Sequence, residues 1–104
     1  MKISCMASRE SGTFREFDNT KNIKCEAPPT WNPMNTDATK HLVDANADMK
    51  LCPYICAGKA NELNSVGCCE YNDDRTCWFR KIDVLTKGGG DQRAVLCNDL
   101  YVYH

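Results

Sequence analysis

Eight cysteines among 104 residues constrain this chain more than any other feature. An even number, close to 8% of a short sequence, marks an oxidised scaffold in which crosslinks supplement a core too small to hold by itself. The composition agrees: hydrophobic residues make up 42% and the mean hydropathy is −0.54, so the apolar interior is thin. The length suits one domain and not two independent cores. Four disulfides are expected, and since disulfides persist in the secretory pathway and outside the cell, the expected location is extracellular.

Charge narrows the partners. Thirteen basic against 14 acidic side chains give a net charge of −1, whereas a nucleic-acid surface is strongly basic, so no nucleic acid is expected. No run approaches the roughly 20 apolar residues of a membrane span, and membrane insertion is not expected. The opening Met1-Lys2-Ile3-Ser4-Cys5 has no apolar run either and reads as a mature, secreted sequence.

Along the chain, Met1 to about Cys25 is polar with few apolar anchors, which predicts short extended segments. Ala27-Pro28-Pro29-Thr30-Trp31-Asn32-Pro33 is a stiff loop carrying an aromatic. Thr36 or Asp37 is placed to cap a helical stretch from Ala38 to about Gly58, with Pro53 marking a kink or a second start and Gly58 a stop. Cys52, Ile55 and Cys56 are spaced by three, four and one, so they share one helical face. Gly67 to Tyr71 and Thr76 to Ile82 are short, aromatic and cysteine-rich, and they flank Asn72-Asp73-Asp74-Arg75, the chemistry of a hairpin turn. Strands are further expected at Ile82–Leu85 and Ala94–Cys97, joined through the glycines at 88–90. Leu100-Tyr101-Val102-Tyr103-His104 alternates like an edge strand. The fold class is α+β: a small disulfide-rich domain with one main helix packed on a curved antiparallel sheet.

Adjacent residues of a strand face opposite ways, so Cys68 and Cys69 must reach different layers. One meets the helix and the other the far side. The expected pairing joins Cys52 to Cys77 and Cys56 to Cys68 or Cys69. The remaining member of that pair and Cys97 go to Cys5 and Cys25, in an order left open among the 105 pairings that eight cysteines allow.

A helix with Cys-x3-Cys (Cys52, Cys56), a strand of the form Cys-x-x-aromatic (Cys68 to Tyr71), a strand Thr76-Cys77-Trp78-Phe79 and a closing Cys97 together resemble the PAN/apple module over roughly residues 40–97. The resemblance implies a helix stapled across a curved antiparallel sheet, in an extracellular module that binds protein or carbohydrate without catalysis. The doubled Cys68-Cys69, the long segment before the helix and the extra N-terminal cysteine depart from that pattern.

The remaining motifs carry little chemistry. Asp44-Ala45-Asn46-Ala47-Asp48 begins like a calcium loop, but Met49 and Ile55 stand where Gly and Glu are required, so it reads as a solvated helix face. Cys-x3-Cys with Cys-Cys is not the spacing of paired zinc knuckles, and oxidation to disulfides is the favoured reading. No Cys-x-x-Cys redox pair exists, and Ser8, Ser11 and Ser65 lack a nucleophile motif. Neither an enzyme, a metal nor a cofactor is expected. The candidate binding residues are Trp31, Trp78, Tyr101 and Tyr103, whose rigid rings supply contact area. Asp73, Asp74, Arg75 and Arg80 join them from the hairpin. The expected partner is an extracellular protein or glycan. A secreted signalling or toxin-like polypeptide, or a structural subunit that self-associates through its C-terminal strand, fits the same scaffold.

Overall fold

A computed structural model describes residues 2–5, 22–26 and 40–99. Trp31, Tyr101 and Tyr103, the proline loop at 27–33, the cap expected at Thr36 or Asp37 and the C-terminal strand lie outside the described residues. The elements run β1 (Ile3–Ser4), β2 (Ile23–Cys25), β3 (Lys40–Asp44), α1 (Cys52–Leu63), β4 (Gly67–Tyr71), β5 (Cys77–Arg80), β6 (Leu85–Lys87) and β7 (Arg93–Asp99). Five strands form an antiparallel sheet in the order β1-β7-β4-β5-β3, and β2 pairs with β6 in a separate ribbon. The expected α+β architecture, one helix on an antiparallel sheet with four disulfides, is the one observed.

The helix differs from its expected span at both ends. Residues 40–44 are a strand, because Lys40 to Leu42 pair with Arg80 to Trp78 of β5, and a bulge at Val43 brings Asp44 opposite Cys77. Tertiary pairing overrides a local pattern that Leu42 and Val43 leave ambiguous. Pro53 does not kink α1 but sits in its first turn, where a missing N–H costs nothing. Gly58 does not stop it. The stop is Asn64 in the left-handed region at φ 54°, with Asn64 N–H bonding Asn61 O and Ser65 N–H bonding Ala60 O, a Schellman arrangement. Asp44–Asp48 is a bend and not a helix face: the Asp44 and Asp48 carboxylates accept the N–H groups of Asn46 and Lys50. The strand expected at 82–85 begins later, at Leu85, where it meets Cys25.

α1 buries Cys52, Cys56 and Ala60, one small residue per turn, against the sheet face that carries Cys69, Tyr71, Cys77, Phe79, Val95 and Cys97. Small side chains let the helix axis approach the sheet closely, so a thin core suffices. The Asn61 amide clamps β1 to the helix by accepting from Ile3 N–H at 2.9 Å and donating to Ile3 O at 2.8 Å. On the opposite sheet face a smaller cluster, Cys25, Cys68 and Ala94 with Ile23 and Leu96, packs beneath the β2–β6 ribbon. β4 is therefore covered on both faces, and all five of its residues are buried.

The adjacent cysteines of β4 divide as the strand geometry requires. Cys69 bonds Cys56 on the helix side, and Cys68 bonds Cys25 on the ribbon side. Cys52 joins Cys77, as expected, and Cys97 closes with Cys5. No described cysteine is free.

Candidate functional site

Away from the helix, the ribbon covers only part of the sheet. The uncovered part is an open polar basin of about 530 Å³. Strand alternation makes its floor: Glu70 of β4 and Arg80 of β5 point to the face opposite α1, two residues along from Cys68 and Trp78 respectively. Lys24 and Cys25 contribute one wall from β2, and Lys40 enters from β3. The hairpin turn supplies Asn72, Asp73 and Asp74, while the β6–β7 connection closes the rim with Gly89, Gly90 and Gln92.

Glu70 is the one buried charged residue among those described, 4% exposed. A carboxylate there must be compensated, and it accepts the Cys25 N–H at 3.0 Å and faces Arg80 Nε at 4.0 Å. The first contact ties the ribbon to the sheet beside the Cys25–Cys68 bridge. The second is an ion pair too long for a hydrogen bond, so Arg80 Nε is left buried without an acceptor. Lys40 Nζ lies 3.9 Å above the centre of the Trp78 ring, within cation–π range, and Trp78 Nε1 donates to Thr76 Oγ1 at 2.9 Å. Gln92 Nε2 donates to Asn72 Oδ1 at 2.8 Å and joins the two rims. Gly90 adopts φ 59°, a left-handed conformation that favours glycine, and brings the turn close to the Asp73 carboxylate.

The basin is electrically balanced, with Lys24, Lys40 and Arg80 against Glu70, Asp73 and Asp74. Asp74 accepts from both the hydroxyl and the N–H of Thr76, and these bonds hold its carboxyl below the ordinary value of 3.8. Because the folded value is depressed, the contribution of this turn is present above the unfolded value and is lost as pH falls through the folded one. Thr76→Val, which removes the hydroxyl and keeps the N–H, is expected to move the Asp74 midpoint up toward the ordinary value in a carboxyl carbon NMR titration. An unchanged midpoint would rule out the hydroxyl as the main cause.

Of the residues singled out from sequence, Asp73, Asp74 and Arg80 line the basin, and Trp78 lies beside it beneath Lys40. Arg75, at φ 70°, turns away and donates from Nε to Asn46 Oδ1 at 2.7 Å. Sequence reasoning missed Glu70, Lys24, Lys40, Asn72 and Gln92. One signal was available: a glutamate inside the cysteine strand Gly67–Tyr71, where a charge must have a partner.

Fold and site together define a small disulfide-rich α+β domain with an open, charge-balanced basin on the sheet face opposite its helix. No family model matches the chain, and neither a curated protein nor a solved structure does. No helix among the described residues is long and apolar enough to cross a membrane.

Proposed function

We propose that this protein is a non-catalytic extracellular binding module, PAN/apple-like in design, that recognises protein or glycan groups in the polar basin. The observation that carries the reading is the basin itself: three cations and three carboxylates around an open cavity, with an indole held beneath a lysine at its edge. Such a surface offers donors and acceptors to a hydroxylated or zwitterionic ligand. A ring stacking on Trp78 would displace Lys40 and gain the apolar face that Lys40 now covers. The four crosslinks support an oxidising location, and the helix held to the sheet through Cys52 and Cys56 supports the family likeness.

The oxidised protein is to be tested on an array of glycans and extracellular proteins. Saturable binding is expected, weakened at least about tenfold, or about 1.4 kcal/mol, by Trp78→Ala and by Asp73→Asn. Lys81→Ala, outside the basin, should leave it unchanged. A blank array, or binding indifferent to both basin substitutions, would overturn the proposal.

A further inference from the structure

We propose that Cys52, Cys56, Cys69 and Cys77 form a second, metal-bound state of the core: once their two disulfides are reduced, the four thiolates bind one Zn²⁺. The fold brings these residues together from three elements. Cys52 and Cys56 are one turn apart on α1, and Cys69 and Cys77 lie diagonally on the neighbouring strands β4 and β5, facing the helix. All four sulfurs lie within 4.8 Å of one another. Sulfurs that are not bonded are nearly as close as a shared ion would hold them: Cys52 Sγ is 3.4 Å from Cys69 Sγ, and Cys56 Sγ is 3.7 Å from Cys77 Sγ.

Zinc–thiolate distances of about 2.3 Å place the sulfurs of a regular tetrahedron about 3.8 Å apart. The two unbonded contacts already approximate edges of that tetrahedron. Reduction has to let each bonded pair separate to that distance while the two remaining pairs, no more than 4.8 Å apart, adjust to it, by side-chain rotation on a backbone held by the sheet ladder and by α1. Soft sulfur donors in tetrahedral array select Zn²⁺ over hard cations such as Ca²⁺ or Mg²⁺. The site is closed, since each cysteine is fully buried and four protein ligands leave no open position. This is a structural centre and not a catalytic one. Cys52 lies in the first turn of α1, where the helix dipole favours the negative charge that four thiolates bring.

The exchange balances. A dithiol reductant gives each disulfide two electrons and two protons and is itself oxidised to a disulfide, whereas a phosphine gives the two electrons and becomes its oxide, water supplying the oxygen and the two protons; either leaves four thiols, whose four protons Zn²⁺ then displaces to solvent. The other two bridges lie in different parts of the fold, Cys5–Cys97 between β1 and β7 and Cys25–Cys68 under the ribbon. Among the described residues they join no comparable cluster. The joint between helix and sheet can thus be held by sulfur–sulfur bonds or by a metal.

The test uses the full chain, reduced anaerobically with a phosphine and titrated with Co²⁺ as the spectroscopic probe. Expected are the thiolate charge-transfer and visible bands of tetrahedral cobalt with four sulfur ligands. They should saturate at one Co²⁺ per chain and be abolished by one equivalent of Zn²⁺, with helical circular dichroism present in the metal-bound form. The oxidised protein should take up none. Cys52→Ser with Cys77→Ser should remove the four-sulfur signature, whereas Cys5→Ser with Cys97→Ser should retain it. The wild-type spectrum decides by itself whether four sulfurs bind, even where a variant fails to fold. No uptake by the reduced wild type, a spectrum of fewer than four sulfurs, or a signature that survives loss of Cys52 and Cys77 would overturn the proposal.

Discussion

Gly67→Ala is expected to destabilise the protein by more than about 3 kcal/mol, or to prevent folding, a large effect for one added methyl group. Gly67 opens β4 opposite Cys97, and a Cβ there would overlap the backbone oxygen of Arg80 and stand 2.7 Å from the Phe79 ring. Neither neighbour can give way. The carbonyl belongs to the neighbouring strand β5, and Phe79 is fully buried at the centre of the helix-side core. Accommodating the methyl requires parting β4 from β5 and disturbing the strands that carry Cys69 and Cys77. Gly58→Ala is the matched control. Gly58 is an exposed position within α1, with nothing within 4 Å of an added Cβ, so alanine there should stabilise by about 0.5–1 kcal/mol through helix propensity. Urea unfolding of the two oxidised variants measures both signs, and a Gly67→Ala protein as stable as the parent would show that the strands tolerate far more slack than their contacts imply.

The second large effect is expected from the crosslinks, and it should follow the length of chain each encloses. Cys5–Cys97 spans 92 residues and Cys56–Cys69 only 13. Loop-closure entropy then assigns about 4.6 kcal/mol to the first and about 2.9 kcal/mol to the second. Replacing Cys5 and Cys97 by alanine should therefore lower the stability more than replacing Cys56 and Cys69, although the shorter bridge lies deeper in the core. The Asn61 clamp on Ile3 keeps β1 docked without its bridge, so the first variant should still fold. Denaturant midpoints compared at matched slopes check the order. The reverse order would mean that core packing around Cys56 and Cys69 outweighs the restriction of the unfolded chain.

What was legible in the sequence was whatever neighbouring residues decide. The β4–β5 hairpin was visible because Asn72 to Arg75 is turn chemistry between two cysteine-bearing strands, and its turn forms as read. The division of Cys68 and Cys69 between layers follows from alternation along one strand. Which of the two meets the helix, and whether Cys5 or Cys25 takes the other, was not legible: it depends on the β2–β6 ribbon lying over Cys68, which no local spacing encodes. The short strand β3 was not legible, since Lys40–Asp44 carries no pattern of its own and becomes a strand only by pairing with β5. The basin was half legible for the same reason. Asp73, Asp74 and Arg80 belong to the hairpin, whereas Lys24, Lys40 and Gln92 arrive from segments brought near by the Cys25–Cys68 bridge and the sheet order, which no local spacing encodes.

The bond between Cys5 and Cys97 also decides how the molecule bears tension. A pull applied outside these two residues first loads the Ile3–Asp99 and Ser4–Asn98 pairs and the Asn61 clamp, and once those part it passes from Cys5 to Cys97 through a single covalent link that bypasses the rest of the ladder and the basin. While that link is oxidised, a pull on the two ends of the chain cannot stretch out residues 6–96, and the basin lies within the protected loop.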